Sequence, residues 1–150
     1  EDLLRGRSIE AIAAGCVYGA CRCNGLGRTV DDIAALARVN QQRVMNAYKV
    51  LNQELGLPTQ PIRPSRFVPR LASELGVSDQ VRHRAQRLAE HSETVDKTVG
   101  VRPSGFAAAC LYKASQEHGQ PLTQREVANA ANVVPRTVRT HQNTIEGLSL

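Results

Sequence analysis

Residues 8–23, SIEAIAAGCVYGACRC, are apolar nearly all the way round a helical wheel. A helix of this kind is expected to be enclosed by other helices on most of its sides. Residues 103–117, PSGFAAACLYKASQE, repeat the pattern, with Pro103 suited to a first helical turn. The small residues Ala13, Ala14 and Gly15, and Ala107 to Ala109, would let neighbours approach closely. Each segment therefore predicts the central helix of a helical bundle. Beyond Gly25 and Gly119 a second pattern follows. Thr29-Val-Asp-Asp32 and Thr123-Gln-Arg-Glu126 both read as capped helix starts, the hydroxyl accepting from a backbone amide while the acid favours the positive end. Short helices are predicted over 29–37 and 123–131. They end at the turns Arg38-Val39-Asn40 and Asn132-Val133-Val134. Longer helices follow over 41–55 and about 135–147, the second opened by Pro135. Short helix, three-residue turn and longer helix is the grammar of a helix-turn-helix, although many bundles contain such corners.

These parallels reflect an internal repeat. Shifting the chain by 94 positions aligns 6–56 with 100–150 without a gap, and twelve of the 51 pairs are identical. Scattered alanine matches could follow from helical composition. The aligned Gly6/Gly100, Gly25/Gly119 and Thr29/Thr123 punctuation would not, so the repeat is real, and its period implies tandem domains. The chain divides into 1–57, the last three helices of a first unit, a linker over 58–66, and a complete second unit over 67–150 whose helix-turn-helix spans 123–147.

The last helix of each copy separates into faces. In the second, Val138, Ile145 and Leu148 form an inward stripe, while Arg136, Arg139, Thr140 and Asn143 follow i, i+3, i+4, i+7 spacing on the opposite side. In the first, Val44, Tyr48, Leu51 and Leu55 point inward, and Gln42, Met45, Asn46 and Lys49 outward. Two arginines thus stand where the first copy has Gln42 and Met45. Arginine can donate two bonds to guanine O6 and N7, and Thr or Asn can add a hydrogen bond or meet a thymine methyl. The competing reading is an ordinary solvated helix face. The absence of acidic residues from Asn132 to Thr144 favours DNA.

Composition adds limits. The 150 residues are 41% hydrophobic and 22% charged, enough apolar material for a packed core, and no apolar run is long enough to span a bilayer. Only five residues are aromatic (Tyr18, Tyr48, Tyr112, Phe67, Phe106), which disfavours stacking platforms for single-stranded nucleic acid. The net charge of +5 is spread over the chain without a basic tail, so a nucleic-acid surface would have to be built by folding. Sixteen of the nineteen basic residues are arginine, which suits bidentate recognition but would also follow from a GC-rich genome. Cys16, Cys21, Cys23 and Cys110 do not form paired C-x-x-C spacing and read as buried reduced thiols. A site from Cys21, Cys23 and a distant histidine is the residual metal reading. The histidines show no metalloenzyme spacing and stand beside no nucleophile motif, so no catalytic residue, metal or cofactor is assigned.

Three stretches carry a resemblance to a known family. Gly6-Arg-Ser-Ile-Glu-Ala-Ile-Ala-Ala-Gly-Cys-Val-Tyr-Gly-Ala-Cys-Arg22, Phe67-Val-Pro-Arg-Leu-Ala-Ser-Glu-Leu-Gly76 and Phe106-Ala-Ala-Ala-Cys-Leu-Tyr-Lys-Ala-Ser115 resemble the core of transcription initiation factor IIB, especially the archaeal factor TFB, as does the Thr123-Gln-Arg-Glu-Val-Ala128 helix start. The resemblance covers nearly the whole chain in order. It implies an all-α fold of tandem cyclin-like five-helix repeats, the first truncated at its N-terminus. It also implies a monomer in the archaeal cytoplasm (or a nucleus, if eukaryotic) that binds TATA-binding protein on double-stranded promoter DNA and helps bring RNA polymerase to the start site. The helix from Pro135 would enter the major groove upstream of the TATA box and read the B recognition element. Arg139 matches a family arginine there, whereas Arg136 departs from the family's usual valine and puts the base preference in doubt. Lys49 matches a basic position that faces the TATA-binding protein. Arg63, Arg66 and Arg70, near the linker, would contact phosphate, and Arg125 joins the DNA-facing set. The family's zinc ribbon and polymerase-cleft segment have no counterpart here, and an excised fragment is the simpler explanation. The competing functions are a cyclin-type subunit gripping a protein kinase without DNA, a dimeric bacterial-type helix-turn-helix regulator and, last, an all-α enzyme.

Overall fold

The computed structural model describes residues 5–148, and their regular structure is helical: α1 (Ile9–Cys23), α2 (Val30–Ala37), α3 (Gln41–Leu55), a 3-10 turn (Pro64–Arg66), α4 (Val68–Leu75), α5 (Asp79–Thr94), α6 (Pro103–Glu117), α7 (Gln124–Ala130) and α8 (Pro135–Glu146). The chain forms two compact units, Glu1–Ile62 and Arg63–Leu150.

Local chemistry sets the helix boundaries. Ser8 Oγ accepts from the Ala11 amide at the start of α1. Thr29 and Asp32 form a reciprocal capping box at α2, and Thr123 and Glu126 form the same box at α7. The backbone repeats at the sequence period too. Gly6 and Gly100, Gly25 and Gly119, and Arg38 and Asn132 all have positive φ, the last two at 54° and 53°. Each helix-turn-helix corner therefore turns on a non-glycine residue in the left-handed region. Asparagine tolerates this better than arginine because its short polar side chain can bond locally.

In the second unit α6 is the central helix, packed by the 3-10 turn, α4, α5, α7 and α8. Ser104 through Leu111 are all buried, and Phe106 through Leu111 are inaccessible to solvent. Around them lie Phe67, Val68 and Leu71 of the amino-terminal segment, Val81 and Leu88 of α5, and Val138 and Ile145 of α8. Arg84 of α5 donates to Glu117 of α6 at 2.6 Å and 3.3 Å, which closes that edge and holds the Glu117 carboxyl below its ordinary pKa.

The first unit differs. There α1 packs on α2 and α3, with Tyr18 and Tyr48 edge to face at 4.9 Å between centroids. A Cβ on Gly15 would lie 3.0 Å from both the Ala47 Cβ and the Tyr48 backbone nitrogen, so the absent side chain is what lets α1 and α3 approach so closely. The opposite side of α1 is open. Ala13, Cys16, Val17 and Ala20 are exposed, whereas their counterparts Ala107, Cys110, Leu111 and Ala114 are fully buried. The expectation that both central helices are enclosed thus applies to α6 alone, because among the described residues the first unit has no pair corresponding to α4 and α5. The same difference corrects the cysteine reading. Cys21 and Cys110 are buried, Cys23 is half-buried and Cys16 is exposed. Leu55, expected inside, is exposed at the last turn of α3, and Met45, expected outside, packs partly on the first core.

The segment read as a linker over 58–66 is divided between the units. The Gln60 amide donates to the Arg22 carbonyl at 3.1 Å, and Leu57 packs on the first core. Ser65 is buried, its amide and hydroxyl both donating to the Glu93 carboxylate at 2.7 Å and 3.1 Å. Residues 63–66 therefore belong to the second unit.

Candidate nucleic-acid interface

Helix α8 begins at Pro135, whose missing N–H costs nothing in a first turn. Its inner face is Val138, His141 and Ile145, all buried. Leu148, assigned to that stripe from the sequence, lies just past the helix and is half-buried. His141 was not expected inside. Its ring sits 5.4 Å from that of Phe106, tilted by 48°. Gly105 lets α8 approach α6, since a Cβ there would meet Thr137 Cγ2 at 2.9 Å and Val133 Cγ1 at 3.5 Å. The signal that could have found His141 was its i+3 spacing from Val138 on an otherwise apolar stripe.

Burial pushes the His141 pKa below the ordinary histidine value, and its Nε2 has no hydrogen-bond partner. The buried site therefore favours the neutral ring over the charged one. A group with a depressed folded pKa stabilises the fold above its unfolded value, near 6.5, and that contribution is lost as pH falls towards the folded value. Thermal melts followed by circular dichroism should show the Tm of His141→Leu falling less than that of the unsubstituted chain between neutral pH and pH about 5. Equal falls would mean that His141 does not drive this loss.

The outer face of α8 carries Arg136, Arg139, Thr140 and Asn143, all exposed. Together with Pro135 and Gln124 of α7 they line a concavity of about 400 Å³. The structure thus brings together the four residues singled out by periodicity and adds Gln124, whose Nε2 lies 3.4 Å from Gln142 Oε1. Among the described residues no hydrogen bond or ion pair holds the guanidinium of Arg136 or Arg139. The carboxylates nearest in sequence are occupied: Glu126 accepts from the Thr123 amide and hydroxyl at 2.7 Å and 2.8 Å, and Glu146 from Gln142 at 2.9 Å. The Thr123 amide bond in particular keeps the Glu126 pKa low. The surface is therefore cationic and rich in donors.

The other expected contacts fall elsewhere. Arg125 is exposed on α7 but does not line this concavity, and Arg63 and Arg66 are exposed at the start of the second unit. Arg70 differs from them. It is largely covered and donates to Glu74 at 3.4 Å, so its charge is already paired. In the first unit Lys49 is exposed on α3 and lines a separate cavity of about 600 Å³ with Arg43, Asn46, Arg5 and Arg7. On the outer face of α3, Gln42 Nε2 donates to Asn46 Oδ1 at 2.9 Å. Among the described residues no group of three His, Cys, Asp or Glu could hold a metal ion, and no helix is long and apolar enough to cross a membrane.

Comparison with known proteins gives a consistent family. A family model described as the transcription factor TFIIB repeat matches residues 1–54 and again 58–146. Transcription initiation factor IIB 5 of Halobacterium salinarum is 56% identical over 145 residues, which is 97% of this chain and 47% of that protein. Transcription initiation factor IIB 3 of the same organism is 43% identical over 149 residues, 99% of this chain and 47% of the relative. Transcription initiation factor IIB of Archaeoglobus fulgidus is 41% identical over 139 residues, 93% and 43% respectively. The chain spans about half the length of these relatives.

Proposed function

Since the chain belongs to the transcription factor TFIIB repeat family, we propose that it is the promoter-binding core of a transcription initiation factor. In this reading it binds the complex of TATA-binding protein with double-stranded promoter DNA. The outer face of α8 enters the major groove and reads the B recognition element, and the bound core helps recruit RNA polymerase. The observation that carries the reading is the pair of exposed, unpaired arginines on the second helix of a helix-turn-helix whose carboxylates are already engaged. Helices of this type dock with one face against the base edges, which requires cationic and hydrogen-bonding side chains free of internal partners. Lys49 contributes on the side of the TATA-binding protein, and the exposed Arg63, Arg66 and Arg125 neutralise phosphates. Arg70, already bonded to Glu74, contributes less.

A gel-shift on a TATA-containing promoter tests this. The chain alone is expected to bind weakly, and with TATA-binding protein it is expected to produce a slower, supershifted band. Absence of a supershift at low salt, where phosphate contacts are strongest, would overturn the reading.

A further inference from the structure

We propose that Arg136 is a base-reading residue, and that α8 selects an element with guanine at two nearby positions, one met by Arg139 and the other by Arg136. The inference rests on the reading of α8 as the helix that enters the major groove. It goes beyond that reading by assigning a specificity-determining residue and the base it prefers.

Three observations carry it. The first is freedom. Arg70, Arg82 and Arg84 in the same unit each donate to a carboxylate, of Glu74, Asp79 and Glu117 respectively. Among the described residues Arg136 and Arg139 have no such partner, so neither breaks an ion pair in order to reach DNA. The second is placement. Arg136 is the second residue of α8, and the N-terminal residues of a recognition helix are those that meet base edges. Three residues of helix advance about 4.5 Å along the axis. The base-pair step is about 3.4 Å. Two guanidinium forks at this separation therefore match guanines one or two steps apart, each accepting two bonds at O6 and N7.

The third concerns the rest of the face. Thr140 Oγ1 donates to the Arg136 carbonyl at 3.0 Å. Its one hydroxyl proton is thereby used, which leaves a methyl group and an acceptor oxygen for DNA. Gln124 spends one of its two Nε2 protons on Gln142. Most of the free donors on this surface are therefore those of Arg136, Arg139 and Asn143, and guanine presents two acceptors to such donors where cytosine presents a donor.

Site selection from DNA with randomised bases upstream of a TATA box, in the presence of TATA-binding protein, tests the assignment on the full chain. The unsubstituted chain is expected to select two guanine positions. Arg136→Val should lose selection at one of them and keep the other, with affinity for the selected site falling about fivefold or more. On a site already lacking that guanine, it should bind like the unsubstituted chain. Arg136→Lys, which keeps the charge but not the rigid fork, should recover only part of the preference. Circular dichroism checks that both variants remain folded. If Arg136→Val weakens every sequence equally and lowers the salt slope by about one, while Lys restores full binding, Arg136 contacts phosphate and the inference fails. It fails equally if Arg136→Val retains both guanine preferences. If the unsubstituted chain itself selects no upstream sequence, the failure belongs to the underlying reading of α8.

Discussion

Phe106→Ala is expected to destabilise the second unit by about 3–5 kcal/mol, the range for removing a fully buried aromatic ring from a core. The ring is inaccessible to solvent and lies on the central helix, one residue from the glycine that admits α8. It also supports the buried face of His141. Removal therefore opens a void where α6 and α8 meet, and the neighbours are poorly able to close it. The residues flanking Phe106 on α6 are themselves buried and small, and they cannot swing into the space. Small domains retain only about 5–15 kcal/mol of net stability, so this loss is a large share of the total. Urea denaturation followed by circular dichroism should show a lower midpoint with an unchanged slope. DNA binding should weaken in parallel, because α8 loses part of the surface it rests on. A loss below about 1 kcal/mol would mean that the site collapses around the smaller side chain.

Arg139→Ala is expected to cost about 1–3 kcal/mol of binding on the preferred element, roughly a 5- to 150-fold loss of affinity, and to flatten base preference at the position it reads. Its fold should be unaffected, because the side chain is exposed and no hydrogen bond or ion pair among the described residues holds it. Titration of the preferred element and of a mismatched one, at two salt concentrations, separates the possible roles. A base contact gives a large loss on the first and a small loss on the second. Equal loss on both, with the salt slope reduced by about one, would make Arg139 a phosphate contact instead.

The first substitution probes the α6 surface on which the inner face of α8 rests and the second its outer face, and those two faces of α8 were not equally legible. The outer face follows directly from spacing, because charged side chains with no apolar contact stay in solvent wherever the helix packs. Arg136, Arg139, Thr140 and Asn143 accordingly share one concavity. The inner face depends on what lies opposite. His141 is polar by type, yet it is buried because the helix periodicity carries it towards Phe106, at a desolvation cost that lowers its pKa. Leu55 is apolar by type, yet it is exposed because, among the described residues, no element covers the last turn of α3.

What the sequence alone determined was local and periodic. The capping boxes at Thr29 and Thr123, the stops at Gly25 and Gly119, the helix-turn-helix corners and the 94-residue repeat are all written in short-range hydrogen bonding and backbone preference, which act over a few residues. The tertiary structure decided which of two nearly equivalent central helices is enclosed. Cys16 and Cys110 occupy the same position of the repeat in closely similar surroundings along the chain, yet one is exposed and the other is fully buried. Burial is a property of the elements that pack on a residue, and α4 and α5 lie outside the stretch of chain around Cys110. The same long-range packing joins Ser65 to Glu93 and so assigns the end of the apparent linker to the second unit.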